Sequence, residues 1–184
     1  MKRFLVTFAV VSNLVFADAF VKEFAVKVLN GRPAISVIPG FFNLAYVENR
    51  GCAWGLFQGA VWPLALFGAA AFVFLVRKRR EVFGDGWVAP CLLYAGIIGN
   101  LIDRVWRGFV VDMFDFHWGV HHFPCFNLAD AFISAAAALL VWMSFFSASG
   151  KSQLRAQNGN VLNSPFMYSM NSMTFGFATG LSRT

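Results

Sequence analysis

Four apolar segments limit what this chain can fold into more than any other feature of its sequence. They cover residues 4–20, 61–76, 87–101 and 128–147. Each approaches the roughly 20 residues that a helix needs to cross a bilayer, the third being the shortest. Only 13% of all residues are charged, whereas a soluble domain usually carries about 25%. The sequence therefore predicts a mainly α membrane protein with four transmembrane helices.

The basic residues predict how these helices are oriented. Lysine and arginine flank alternate ends of the segments, at residues 2–3, 77–80 and 151–155. Because such residues concentrate on the cytoplasmic side of a membrane, we expect both termini inside and residues 21–60 and 102–127 outside. A tight inner turn is expected at 77–86. The net charge of +6 then reflects membrane flanks, and nucleic acid is not an expected partner.

The first apolar segment has a second interpretation as a cleavable signal peptide. Two basic residues precede it, and the small residues Ala17 and Ala19 flank Asp18 near its end. However, the segment is as long as a membrane span. Asp18 and Lys22 also stand at i and i+4, the favourable order for an ion pair along one helix. We favour a retained first helix.

The region at residues 24–47 differs from the helical segments because it is rich in β-forming residues. Its β-rich stretches are 26–29, 34–38 and 42–47. Asn-Gly at 30–31 and Pro-Gly at 39–40 separate them as turns. We predict a small extracytoplasmic sheet, inserted in one membrane domain at residues 1–150. Residues 151–184, without clear periodicity, are expected to form a disordered or loosely attached cytoplasmic tail.

Two aspartates stand at the outer ends of apolar segments. Asp112 follows the third predicted span and Asp130 opens the fourth, so both belong to the outer face. Two carboxyls in contact share one proton, and such a pair serves as general base and general acid in hydrolysis. The residues alone leave an alternative open. Asp130 is then an acid stabilised by a helix N-terminus, and Asp112 is an ordinary loop residue.

Polar residues near the two aspartates predict a surrounding network. Asn100, Asp103 and Arg104 stand at i, i+3 and i+4, which places an amide, an acid and a guanidinium on one helical face. Asn127 stands one turn before Asp130, where it is expected to cap the fourth helix. The alternative is that Asp103 and Arg104 form a structural ion pair at the membrane boundary.

A second polar cluster precedes the second span. Asn49 offers a donor and an acceptor, and Gly51 and Gly55 allow a backbone to approach closely. Trp54 is suited to the level of the lipid headgroups. The alternative interpretation is a glycine-rich turn that re-enters the membrane.

Cysteines and histidines also lie in the segments predicted to be exported. Cys52 and Cys125 are available for pairing if the fold brings them together. His117 and His121 stand at i and i+4 beside His122, but the stretch lacks a His-Glu-x-x-His motif and contains helix-breaking residues. We therefore expect no metal site and no cofactor.

Five motifs in order carry a family resemblance. They are Pro-Gly-Phe-Phe-Asn-Leu at 39–44, Asn-x-Gly-x-Ala-Trp-Gly at 49–55, Gly-Asn-x-x-Asp-Arg at 99–104, Gly-x-Val-x-Asp at 108–112 and Phe-Asn-x-Ala-Asp at 126–130. Over about residues 5–145 the chain resembles the lipoprotein signal peptidases, the bacterial signal peptidase II family.

This resemblance implies a role for each matching residue. Asp112 and Asp130 match the catalytic aspartates of the family. The residues that match its supporting and substrate-binding positions are Asn49, Gly51, Asn100, Asp103, Arg104 and Asn127. Asp18 and Lys22 match a first-helix motif that is usually Asp-Gln-x-x-Lys, in which Ala19 here replaces the glutamine.

The resemblance also implies a substrate and a location. The substrate is a prolipoprotein whose cysteine carries diacylglycerol, and the cut falls on the N-terminal side of that cysteine. No metal or cofactor is implied. The expected enzyme is a monomer among the lipids of the bacterial inner membrane, with its site at the periplasmic face. The helix N-terminus is expected to stabilise ionised Asp130, so that Asp112 holds the shared proton.

Two competing functions remain open from the residues alone. A small non-enzymatic transporter or assembly factor would use the charged residues as an ion path. The second span carries no charge, however, and the charged groups gather at one outer rim. A metal-dependent intramembrane protease would lose its activity on chelation and regain it with zinc.

Overall fold

A computed structural model describes the backbone of residues 2–162. Its helices and strands follow in chain order as α1 Lys2–Leu29, β1 Ile35–Ile38, β2 Phe42–Asn49, α2 Val61–Arg77, α3 Arg79–Phe83, α4 Val88–Trp106, β3 Val110–Trp118, β4 His121–His122 and α5 Leu128–Leu162. A single 3₁₀ turn lies at Ala53–Gly55. The chain up to Leu140 forms one compact unit, which contains the sheet and the four long helices up to that residue.

Among the described residues, three helices are long and apolar enough to cross a membrane. They are Arg3–Leu29, Val88–Trp106 and Leu128–Phe145, with mean hydropathies of 2.0, 1.3 and 1.8. Helix α2 is apolar but has only 17 residues. The predicted class, mainly helical with several apolar helices and a small sheet, is confirmed. The count of four spans stays a prediction.

The four strands form antiparallel pairs in the order β1-β2-β3-β4. In the β2–β3 pair, Leu44 lies opposite Phe114 and Val47 opposite Asp112. Strand β2 therefore has one more residue than β3 between these two positions, which is the signature of a β-bulge. The strands predicted at 34–38 and 42–47 are present as β1 and β2.

The prediction of a strand at residues 26–29 is wrong, because these residues form the last turn of α1. Ala25 and Leu29, at helical spacing, are buried against Val111 and Met113 of β3. The β-branched residues of this stretch suggested a strand, but packing against the sheet decides in favour of helix. The end of helix α1 thereby packs against the sheet.

The expectation that Asp112 lies in a loop is also wrong. Residues 110–118 form β3, which pairs with β2 on one side and with β4 on the other. Its first four residues are buried. An aspartate on a central strand has little freedom to move, so its carboxyl is held at a fixed position.

The C-terminal part of the chain is described only in part. Helix α5 continues through residues 151–162, which the sequence assigned to the tail. Residues 163–184 lie outside the described residues. The tail as a separate, disordered segment stays a prediction.

Candidate active site

Asp112 and Asp130 meet at Asn127, the residue before α5. The Asn127 side-chain amide donates to Oδ1 of Asp112 at 2.6 Å, and its backbone N–H donates to Oδ2 of Asp130 at 3.2 Å. The backbone N–H of Asp130 donates to Oδ1 of Asn127 at 3.0 Å. These reciprocal bonds form a capping box at the start of α5. Asn127 therefore caps the helix and links the two carboxyls.

Two further asparagines complete the surroundings of these carboxyls. Asn49 of β2 donates to Oδ2 of Asp112 at 2.9 Å. Asn100 of α4 donates to Oδ1 of Asp130 at 2.7 Å and accepts a bond from Asn127 at 3.1 Å. Every oxygen of the two carboxyls thus accepts a bond from a neutral N–H group. We call these five residues the amide cluster.

The environment of Asp112 favours its protonated form. Its side chain is 1% exposed. Burial, followed by the nearby negative charge of Asp130, raises the pKa of Asp112 to about 7, against the opposing effect of the bonds from Asn49 and Asn127. Near neutral pH the amide cluster can therefore hold a proton on Asp112.

A second set of polar residues adjoins the amide cluster and joins α1 to α4. The ammonium of Lys22 contacts Asp18 at 2.8 Å and Asp103 at 3.1 Å. Its third contact is Oδ1 of Asn100 at 3.1 Å. The three donors of this lysine are therefore all used. Asp18 in turn accepts a bond from the backbone N–H of Ala129 at 2.9 Å, which ties α1 to the start of α5.

Sequence reasoning missed two members of this group. The guanidinium of Arg107 donates from Nε to Asp103 at 3.0 Å and also pairs with Glu23. Both residues carried a signal, because Arg107 stands at i+4 from Asp103 and Glu23 is adjacent to Lys22. We call Asp18, Lys22, Glu23, Asp103 and Arg107 the ion-pair cluster.

The suggested ion pair between Asp103 and Arg104 is wrong. Asp103 pairs with Lys22 and Arg107 instead, because adjacent helical residues point in different directions. The guanidinium of Arg104 donates to the carbonyl of Gly51 at 3.2 Å and to the carbonyl of Asn100 at 3.4 Å. Arg104 therefore connects α4 to the loop after β2.

Gly51 fixes the path of that loop. Its N–H donates to Oδ1 of Asn49 at 2.9 Å, which leaves the amide of Asn49 free to face Asp112. A Cβ added at Gly51 would lie 2.4 Å from the backbone oxygen of Leu56. Only glycine fits here, because the loop folds back against its own backbone at this position. The approach of a bound chain to Gly51 and Gly55 stays a prediction.

Two cavities of about 560 Å³ each flank the aspartates. The sheet-side cavity is lined by Asp112 together with residues of β2, β3 and β4. The helix-side cavity is lined by Asp130 together with residues of α4 and α5. Both share a wall formed by Asn49, Cys52, Trp54, Phe123, Pro124 and Cys125. The amide cluster therefore lies between two spaces that an extended chain can enter.

The remaining candidates take other roles. Cys52 and Cys125 are free thiols, and burial, then the charge of Asp112, raises the pKa of Cys125 to about 12. His122 bonds Asp115 at 2.7 Å, and its ring stacks on that of His117 at 5.0 Å between centroids. Within residues 2–162, no cluster of three or more His, Cys, Asp or Glu side chains has a geometry that could hold a metal ion.

Two relatives of this chain in other bacteria are named lipoprotein signal peptidase. The lipoprotein signal peptidase of Shewanella sp. strain MR-4 is 38% identical over 142 residues, which are 73% of this chain and 83% of the relative. That of Syntrophotalea carbinolica is 35% identical over 147 residues, 77% of this chain and 91% of the relative.

Two solved structures share the fold of this chain, and a family model matches most of its sequence. A bacterial membrane enzyme solved by the in meso method at 2.3 Å superposes with a TM-score of 0.65 at 27% identity, covering 79% of this chain and 90% of its own. A second such enzyme, at 1.9 Å, gives a TM-score of 0.63 at 28% identity, covering 76% of this chain and 92% of its own. The family model for signal peptidase (SPase) II, Peptidase_A8, matches residues 10–146. This chain belongs to the signal peptidase II family.

Proposed function

We propose that this chain is a membrane aspartic endopeptidase that removes the signal peptide from prolipoproteins. The observation that carries the proposal is the convergence of Asp112 and Asp130 on Asn127, because carboxyls held so close share one proton. Its family consists of aspartic proteases. The substrate is a prolipoprotein whose cysteine carries diacylglycerol, and the enzyme cuts on the N-terminal side of that cysteine.

The two carboxyls divide the chemistry between them. Asp130 at the N-terminus of α5 is ionised and takes a proton from water, whose oxygen attacks the carbonyl carbon of the scissile peptide bond. Asp112 gives its proton to the carbonyl oxygen, which forms a neutral tetrahedral diol. Asp112 then recovers a proton from this diol while Asp130 protonates the departing nitrogen, and the C–N bond breaks. Each carboxyl ends in its starting state.

The asparagines keep the carboxyls in position without cancelling their charge. Asn49 and Asn127 each donate to Asp112, while Asn100 donates to Asp130. A neutral amide stabilises a carboxylate less than a cation does, so the proton remains exchangeable. Arg104 and Gly51 hold the adjoining loop over the shared wall of the cavities, where its backbone is available to a substrate chain.

Asp18 and Lys22 act as positioning residues. Lys22 contacts Oδ1 of Asn100, which orients the amide of that asparagine so that its nitrogen faces Asp130. Asp18 bonds the N–H of Ala129 and fixes the start of α5. Ala19, where the family motif usually has glutamine, lies beside these contacts and makes none of them. Burial of both charges against α4 and α5 favours a first helix that stays in the mature protein.

The site suits substrates that are anchored in a membrane. Residues of α4 and α5, two of the candidate spans, line the helix-side cavity. We propose that α2 crosses the membrane as well, giving four spans with both termini in the cytoplasm of a bacterial inner membrane. The active site then lies at the periplasmic face. Exposed apolar side chains on α1 and α2, such as Phe16 at 71% and Leu66 at 73%, contact lipids around a monomer.

The transporter and assembly-factor alternatives lack a comparable observation. Such proteins need polar groups along a path through several spans. Here the family match and the arrangement of the amide cluster both favour hydrolysis. The zinc-protease alternative is tested by chelation in the experiment that follows.

The direct test is cleavage of a diacylated prolipoprotein by the purified full-length protein in detergent. We expect Asp112→Asn and Asp130→Asn each to abolish cleavage, since either change removes the exchange of protons. Asp85→Asn is the matched control, because Asp85 lies on the turn before α4, outside both clusters. EDTA should leave the rate unchanged. Full activity in both aspartate variants, Asp112→Asn and Asp130→Asn, would falsify the proposal. Loss of activity with EDTA and its return with zinc would do the same.

A further inference from the structure

Two residues that line the sheet-side cavity, Asp115 and His122, belong to a hydrogen-bonded chain that the proposed catalysis does not use. Asn43 of β2 donates to Oδ2 of Asp115 at 3.1 Å. His122 of β4 lies 2.7 Å from the other oxygen, Oδ1. The side chain of Asp115 is only 14% exposed, whereas that of His122 is 54% exposed. A carboxylate is therefore held in a fixed orientation beneath a cavity that also reaches Asp112.

Asp115 supplies a carboxylate to this chain of residues. Burial acts to raise the pKa of Asp115, but the bonds from His122 and Asn43 outweigh it, so that the pKa lies below the usual range. A second acid, Glu48, lines the same cavity and pairs at 3.1 Å with Arg50. The described residues that line the sheet-side cavity include no lysine or arginine, whereas Arg104 lines the helix-side cavity.

The position of Asp115 relates it to a particular part of a substrate. It stands three residues beyond Asp112 on β3. A strand rises about 3.3 Å per residue, so the Cα atoms of the two aspartates are roughly 10 Å apart, about the length of three residues of extended peptide. The helix-side cavity, between candidate spans, suits the membrane-anchored part of a substrate. The sheet-side cavity therefore suits the part that leaves the membrane.

We propose that the sheet-side cavity binds the first residues of the mature lipoprotein after its lipidated cysteine, and that Asp115 selects basic over acidic side chains there. This inference rests on the proposed function and specifies the substrate of the same site. A lysine or arginine gains an ion pair with a carboxylate already held by Asn43 and His122. An acidic side chain meets the carboxylate of Asp115 in a cavity that no described lysine or arginine lines.

Three diacylated prolipoprotein peptides test this selectivity. They differ only at the second and third residues after the cysteine, which are lysine, aspartate or serine. For the wild-type protein we expect kcat/KM to be about fivefold higher for the lysine than for the aspartate peptide, the order of one partly exposed charge pair. The kcat/KM for the serine peptide serves as the reference value for each protein preparation. Asp115→Asn should bring the ratio close to one, and the control Asp85→Asn should preserve it.

Salt provides a second measurement that needs no variant. Because ions screen exposed charges, the preference for lysine should shrink as ionic strength rises. Equal cleavage of the lysine and aspartate peptides by the wild type would overturn the subsite, and so would a preference that survives Asp115→Asn. If Asp115→Asn does not fold, a preference that high salt leaves unchanged overturns it. Failure to cut any of the three peptides would instead refute the proposed function, and the subsite with it.

Discussion

The amide cluster and the ion-pair cluster both bury carboxylates, but they give them different partners. In the ion-pair cluster, Asp18 and Asp103 each lie within 3.1 Å of a lysine or arginine nitrogen. Among the described residues, no such nitrogen lies within 4.0 Å of Asp112 or Asp130. A cation fixes the charge of its partner, whereas a neutral amide leaves the proton exchangeable. The partner thus decides whether a buried carboxylate is structural or reactive.

Removing the central cation of the ion-pair cluster should have the largest effect on stability. Lys22→Met leaves the buried carboxylate of Asp18 without a compensating cation and leaves Asp103 with Arg107 alone. We expect a loss of about 3–5 kcal/mol in the free energy of unfolding, the range for breaking a buried pair on one side. Thermal unfolding in detergent measures it.

The matched control is Lys78→Met. Lys78 pairs with Glu81 at 2.8 Å, but both side chains are exposed, so the expected loss is below about 1 kcal/mol. Equal shifts of Tm in the two variants would show that the buried cluster contributes no more than a surface pair. The contrast between the clusters would then lose its energetic basis.

A substitution in the amide cluster should lower the activity of the enzyme more than its stability. Asn127→Ala removes the 2.6 Å bond to Asp112 and the cap of α5. A hydrogen bond to a charged group contributes about 1.5–3 kcal/mol, which corresponds to a roughly 10- to 150-fold fall in kcat/KM. Asn13→Ala removes an exposed bond to the carbonyl of Ala9 and should preserve the rate. A large loss of Tm with unchanged kcat/KM in Asn127→Ala would contradict this division.

The sequence predicted the reactive residues of the site better than the ion pairs that hold them in position. Asp112, Asp130 and Asn127 were identifiable because polar side chains at the ends of apolar segments are costly to keep there unless they serve a function. The pair between Lys22 and Asp103 was not, since the two residues lie 81 positions apart in sequence and the adjacent Arg104 offered a simpler partner for Asp103. Spacing along one helix reveals neighbours on that helix, but not contacts between helices.

The strand assignments failed for a related reason. Residues 26–29 contain two valines and were predicted as a strand, but their burial against Val111 and Met113 keeps them in α1. The alternative that treats Asp112 as a loop residue overlooks the strand β3 at residues 110–118. Their alternation is obscured because both faces of the first part of this strand are buried. Local propensity is overridden in each case by tertiary packing.

Gly99 of α4 lies where α1, α4 and α5 pack closely. Adding a methyl group there tests whether the fold depends on this close packing. A Cβ added at Gly99 of α4 would lie 2.5 Å from Oδ2 of Asp18 and 3.2 Å from Cβ of Ala129. Gly99→Ala should therefore displace Asp18 from α5 and destabilise the protein by about 1–3 kcal/mol. Gly68→Ala on α2, where no atom lies within 4 Å, should not destabilise it. Comparable Tm values for the two variants would indicate that α1 can shift freely.

The smallest expected effect is a shift in the pH profile, and it tests the exchangeable proton directly. Since the pKa of Asp112 is about 7 and catalysis needs its proton, kcat/KM should fall as pH rises through about 7. The bond from Asn49 lowers that pKa, so its loss in Asn49→Ala should move the alkaline limb to higher pH. A bond of about 0.5–1.5 kcal/mol corresponds to a shift of up to about one pH unit.

The direction of this shift separates the two kinds of cluster. If Asn49 is a neutral donor that only lowers the proton affinity of Asp112, the alkaline limb of Asn49→Ala should move to higher pH. The variant should keep a reduced but measurable rate. Asn13→Ala, far from both carboxyls, should keep the wild-type profile and so excludes titration of the substrate as the cause. A limb that moves downward in Asn49→Ala would mean that Asn49 favours the protonated form. Asp112 would then be held as a permanent acid, and the exchange of its proton with Asp130 would have to be abandoned.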